Sequence, residues 1–312
     1  MTIRNAFWRM CFLTLMILFA PNAQAADIPD WWEYEMIVAE GHGFAPANVD
    51  NVYRGRSFAR RAAIVDAYRN LAEQVKEIHV TAETTVESLI VSGDIVQTKV
   101  DAVIRDSKIV SEEYGEDGSC VVVVAVPIYG VTNSVADLTF KPADKENFPP
   151  PPADLQAQGN YTGLIIDCGD SDLKPVLTPV IRNAENLSIY SRNNLDYDKL
   201  VRGGMVGYVK KDDDRDEDKI WLVNFKGRNL LSYTAQIENK LLFVTAQSKT
   251  GNISRAGDNP LIVKATRLSD DNSCPVVSKS DADRILAENE ASHFLDNGAV
   301  VFTSYRVGGL RV

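Results

Sequence analysis

Histidine is scarce in this sequence, cysteine nearly so, and no apolar run beyond Ala20 is long enough to cross a bilayer. The three histidines, His42, His79 and His293, stand in unrelated contexts without HExxH spacing. Neither a zinc site nor a histidine acid–base pair is indicated. The GxSxG elbow, the GxGxxG fingerprint and the P-loop are absent, and Gly203-Gly204 alone signals no phosphate site. Of the four cysteines, Cys11 precedes an apolar leader segment. Cys120, Cys168 and Cys274 lack CxxC spacing and are too few for a disulfide framework. A Cys168–Cys274 bridge is compatible with their shared half, but buried free thiols are the preferred reading. Positive charge is also short: 33 Lys and Arg face 43 Asp and Glu, a formal charge of -10. That balance argues against a nucleic-acid partner and predicts weak attraction to an anionic membrane surface. No catalytic residue, cofactor or metal ligand is assigned, and the sequence carries no enzyme signature.

What is present begins with a secretory signal over residues 1–25. Arg4 and Arg9 form its positive end, Cys11 to Ala20 its apolar core, and Ala23-Gln24-Ala25 a cleavage site before Ala26. The core is about ten residues, against roughly 20 for a membrane span, so the mature chain has no transmembrane segment. The remaining length suits two domains. Composition changes over residues 141–158, where Pro149 to Pro152 favour an extended polyproline spacer. The organisation expected is therefore a first domain at 26–140, a proline-rich linker at 141–158 and a second domain at 159–312.

The first domain reads as an α+β sandwich of order β-α-β-α-β-β. A strand over Glu33–Gly43 ends on two glycines around His42, which suggest a turn or bulge. A helix follows over Phe58–Ile78, with Ile64, Ala67, Tyr68, Leu71, Val75 and Ile78 as its apolar stripe. His79–Glu87 alternates like a half-solvated strand. Ser92-Gly93-Asp94 caps a helix over Ile95–Arg105. Ser107–Tyr114 and Ser119–Val126 form a hairpin through Gly115-Glu116-Asp117-Gly118, and the all-apolar CVVVVAV run marks a central strand. The second domain reads as strand-rich α+β, with strands near Tyr161–Cys168, Asn186–Tyr190, Leu261–Ala265 and Ala299–Tyr305. Met205–Val209 and Lys219–Phe225 are expected to pair as a hairpin. The charged run 210–218 is its solvated tip and lacks the spacing of a calcium loop. Ser278 to Asp281 resembles a capping box before a helix over Ala282–Ala291. Arg255 and Asp258 are expected to tie down a turn.

AEGHGFAP (39–46), RRAAIVDAYRNLAEQV (60–75), TAETTVES (81–88) and VAVPIYG (124–130) together resemble the LPP-twenty lipoprotein family, which includes flagellar outer-membrane accessory proteins. YTGLIIDC (161–168), GGMVGYV (203–209), RAGDNPLIVKA (255–265) and DADRILAEN (281–289) are similar to a companion region of exported bacterial proteins. The resemblance implies a non-catalytic cell-envelope protein, exported to the periplasm or outer membrane, with a structural or assembly role. No lipobox cysteine follows the leader, so a lipid anchor is not carried over. Partners are then envelope proteins or further copies of the chain. Arg56, Arg60 and Arg61, at a helix start where cations oppose the dipole, are the candidate contact residues. The alternative is a periplasmic glycan or small-ligand module, with Trp31, Trp32 and Trp221 as stacking surfaces.

Overall fold

The computed structural model describes residues 35–49, 51–211, 222–225, 228–233, 236–237, 240–241, 244–245 and 254–305. The signal site at Ala25 and Ala26, the three tryptophans and residues 212–218 of the acidic run lie outside them.

The first half is organised by how closely a helix lies on a strand. Strand β1 (Met36–Gly43) presents Ile37, Ala39, Gly41 and Gly43 on one face, side chains that shrink to nothing along the strand. Helix α1 (Val52–Glu77) buries every fourth residue: Gly55, Ala59, Ala63, Ala67, Leu71 and Val75. They too shrink toward the end that meets the glycines. A Cβ at Gly41 would overlap backbone atoms of Ala63 and Ala67, and one at Gly43 those of Ala59 and Ala63. The helix is thus wedged against the strand, touching it backbone to backbone at its amino-terminal half. Gly41 and Gly43 are not a turn or bulge; they pair in regular register with Val122 and Cys120. The expected helix starts six residues later than the observed one, whose Asn51 side chain caps it by accepting from the Arg54 amide at 3.1 Å. Its buried row is also shifted from the expected stripe. Ala67, Leu71 and Val75 belong to both, whereas Ile64 and Tyr68 only flank the core. A strict fourth-residue row winds slowly round a helix, as packing on a twisted sheet requires.

His79–Glu87 does not form the expected strand. Only an isolated bridge, His79 to Thr85, survives of it. Thr85 and Ser88 instead form a reciprocal capping box that starts helix α2 (Val86–Val91). β-Branched alternation loses here to a local cap that satisfies two amides at once. Ser92 and Asp94 hydrogen-bond to each other in a turn, and helix α3 (Gln97–Arg105) starts after Val96 without a side-chain cap. Strands β2 (Lys108–Tyr114) and β3 (Cys120–Pro127) form the expected hairpin, and β3 is central in the antiparallel order β1-β3-β2. A short helix α4 (Val135–Thr139) is capped by Ser134.

The second half is strand-rich and mixed. Strands β4 (Gly163–Asp167), β7 (Gly207–Lys211), β13 (Pro260–Lys264) and β16 (Val300–Tyr305) make an all-parallel sheet of order β13-β4-β16-β7. Strands β5 (Ile181–Asn183), β6 (Ser188–Tyr190), β14 (Arg267–Leu268) and β15 (Pro275–Val277) make a mixed one. Helix α5 (Tyr197–Gly203) precedes β7, and α6 (Lys279–Ser292) lies between β15 and β16, its start capped by Ser278 as expected. The expected hairpin of 205–209 with 219–225 is not formed. β7 pairs in parallel with β16, while β8 (Leu222–Phe225) pairs antiparallel with β9 (Arg228–Tyr233), β9 with β12 (Val244–Thr245), and β10 (Gln236–Ile237) with β11 (Lys240–Leu241). Phe302, Phe294 and Tyr190 are among the largest fully buried side chains.

One hydrophobic core runs through both halves. Leu177 and Thr178 amides donate to the His79 and Val80 carbonyls at 3.0 and 2.9 Å. The segment that fails as a strand is therefore used to dock the halves. Residues 141–158 lie along the second half: Phe148 stacks on Tyr190, Lys145 pairs with Asp296 at 2.9 Å, and the buried Glu288 carboxylate accepts from the Gln158 and Gly159 amides. Among the described residues no helix is long and apolar enough to cross a membrane.

Candidate interaction surface

Because α1 is pressed onto β1 along one face, its opposite face is held rigidly in solvent. Tyr53, Arg61 and Val65 fall on that crest at helical spacing, with Tyr53 81% and Val65 69% exposed. Arg54 and Phe58 lie on the flank toward β1, the guanidinium 5.7 Å from the ring centre. Arg56 and Arg60 lie on the flank toward β2. From Asn51 to Val65 the chain carries four arginines and no acidic residue.

The three arginines singled out from sequence are placed differently. Arg60 Nε donates to Glu112 Oε2 at 2.7 Å, within its own half. Tyr114 donates to the other oxygen of Glu112 at 2.6 Å. Partial burial raises the Glu112 carboxyl, but these two hydrogen bonds outweigh it and hold the group below the usual carboxylate range. The same bond pushes the Tyr114 phenol up to about 12. Arg56 rests on the Tyr114 ring, 5.4 Å from its centre. Arg61 is exposed on the crest. Arg54, Tyr53, Phe58 and Val65 were missed, although an acid-free stretch of arginines and apolar residues is itself a signal.

The sheet edges beside this surface differ. The outer edge of β1 is occupied by α1: the His42 amide donates to Asp66 Oδ2 at 3.0 Å, and Asn70 Nδ2 donates to the Glu40 carbonyl at 2.7 Å. Strand β2 is the other terminal strand. It carries Lys108, Glu112 and Glu113 and an irregularity between Ile109 and Ser111, features that discourage pairing with another chain.

Arg255 does more than hold a turn. Its Nη2 reaches Glu35 Oε1 at 3.2 Å and the Gly203 carbonyl, and Nη1 reaches the Gly298 carbonyl at 3.3 Å. Burial raises the Glu35 carboxyl despite the guanidinium beside it. Next to this tie the Tyr129 ring fills the space a Cβ at Gly204 would need. Cys120, Cys168 and Cys274 are free thiols, and burial with the nearby Asp167 pushes Cys168 up to about 12. Among the described residues no cluster of three or more His, Cys, Asp or Glu side chains is placed to hold a metal ion. A shallow cleft of about 420 Å³ lies between the proline-rich segment and α6; Leu155, Pro151 and Ala287 line it, with Gln156 and Glu290 as polar groups.

These observations define a two-part α+β protein: a helix-on-sheet unit docked onto a strand-rich unit with a parallel sheet. Residues 38–127 match the LPP20 lipoprotein family, and residues 163–222 and 224–304 match the second domain of Treponema pallidum Tp0624. The chain therefore carries an LPP20 lipoprotein domain followed by a Tp0624 second-domain region. The LPP20 match points to an exported envelope protein. No curated protein matches the chain.

Proposed function

We propose that the protein is a non-catalytic structural or assembly component of the cell envelope, acting through contacts at the exposed face of α1. The observation that carries this reading is the crest itself: aromatic, aliphatic and cationic side chains held in solvent by a helix packed backbone to backbone on Gly41 and Gly43. Burial is the leading cause that raises Tyr129, Tyr190, Tyr208 and Cys168, as expected of packed side chains, and this fits the reading. An outer-membrane or flagellar post is the finer form of the same reading. The domain limits at 140 and 159 belong to the proposal too, with the first unit as the contact module. The alternative reading is a glycan or small-ligand module, for which the cleft beside α6 is one concave place among the described residues.

The test is envelope fractionation with sedimentation of Arg56→Gln/Arg61→Gln. Arg60 is left intact because Glu112 already holds it. Unchanged folding with weaker envelope association or self-association is the expected result. A wild-type protein that fractionates as a free monomer overturns the reading.

A further inference from the structure

We infer that the crest of α1 is a docking face for an anionic phospholipid bilayer; this names the partner of the surface proposed above and rests on that reading. Charge comes first. The chain as a whole is acidic, at -10, yet every charged side chain of the stretch 51–65 is an arginine, of which Glu112 neutralises only Arg60. Electrostatics at a surface is decided within about 8 Å at physiological ionic strength, so the distant acids do not cancel this patch.

Shape favours a bilayer over a folded partner. Tyr53 and Val65 project singly from the convex outer face of the helix, among the arginines, and are not gathered into a groove. A layer of headgroups closes around such projections, whereas a rigid protein needs a matching concavity for each. The side-chain types also fit the interface of a membrane. Phe58 and Tyr53 offer apolar bodies for the headgroup boundary, and arginine binds phosphate oxygens two at a time. Arg54 and Arg56 lie on the rings of Phe58 and Tyr114, so both guanidiniums are preorganised at the surface. Little further ordering is then needed on contact.

The experiment is flotation of the exported protein with vesicles of phosphatidylglycerol and phosphatidylcholine, in roughly one-to-three proportion, and with phosphatidylcholine alone. Wild type is expected to float with the anionic vesicles only, and less so as salt rises. Arg54→Gln/Arg56→Gln/Arg61→Gln should lower partitioning about 100-fold. Tyr53→Ser/Val65→Ser, with all charges kept, should lower it about tenfold, with the circular dichroism of both variants unchanged. Wild type that ignores anionic vesicles, or binding that neither variant changes, overturns the inference. If lipid binding is absent while the arginine variant still loses envelope association or self-association, the partner is an acidic protein face. The bilayer is then excluded and the envelope reading stands.

Discussion

The two halves of this molecule bury their cores by opposite means. In the first, the contact is built from small residues, Ala59, Ala63 and Ala67 on α1 against Gly41 and Gly43 on β1, so that backbone meets backbone. In the second, bulk fills the space: Phe302 stands edge-on to Tyr208 at 5.8 Å, and Phe294 and Tyr190 are fully buried. A core made of close approach has no room for an added atom. A core made of large side chains collapses poorly when one is removed. The difference bears on function, because close approach fixes α1 and leaves its outer face free, whereas large side chains lock the strand-rich half and hold the proline-rich segment on it.

The comparison is broken most sharply by removal in the second half. Phe302→Ala should cost about 3–5 kcal/mol through the cavity left beside Tyr208, read as a fall in the denaturant midpoint. A loss under about 1 kcal/mol would mean that the parallel sheet is not packed by that ring. Addition in the first half comes next. Gly41→Ala adds one methyl where it meets the backbone of Ala63 and Ala67, and should cost about 1–3 kcal/mol from overpacking. A neutral result in thermal unfolding would show that α1 can retreat from β1.

The smallest effect concerns pH. Partial burial raises the Asp296 carboxyl, but hydrogen bonds from Lys145 and Asn289 outweigh it and hold the group below its ordinary range. A depressed folded value means that the stabilisation is present above the unfolded value and is lost as pH falls through the folded one. Lys145→Met should therefore weaken the protein at neutral pH by about 1 kcal/mol, since the two side chains are still 35% and 23% exposed and solvent screens the pair. Its unfolding midpoint should begin to converge on that of wild type below about pH 4 and meet it once the pH has fallen through the depressed folded value. A deficit that persists in acid would assign the effect to lost packing of the lysine stem instead.

Much of the first half was legible in sequence because its signals are local. The GEDG hairpin, the central CVVVVAV strand and the core of the long helix depend on turn chemistry, hydrophobicity and helix propensity within a few residues. The fault at His79–Glu87 was a conflict between two local signals, alternation and a Thr85–Ser88 box, and the box won. The surface was half legible. Arg56, Arg60 and Arg61 stood out as cations at a helix start, but only the fold shows that Arg60 is held by Glu112 while Tyr53 and Val65 are displayed.

The sequence by itself determined the α+β class, the strand-rich second half, the Ser278 cap and the separation of a cationic stretch from an acidic whole. Each follows from residue type and near-neighbour spacing. Tertiary structure alone decided the parallel pairing of β7 with β16, the docking of His79 and Val80 onto Leu177 and Thr178, and the tie from Arg255 to Glu35. It also decided why Gly41 and Gly43 are glycines. The physical reason is common to all four: hydrogen bonds and steric contacts between residues far apart in the chain leave no periodic trace in either segment, and exist only once both surfaces are brought together.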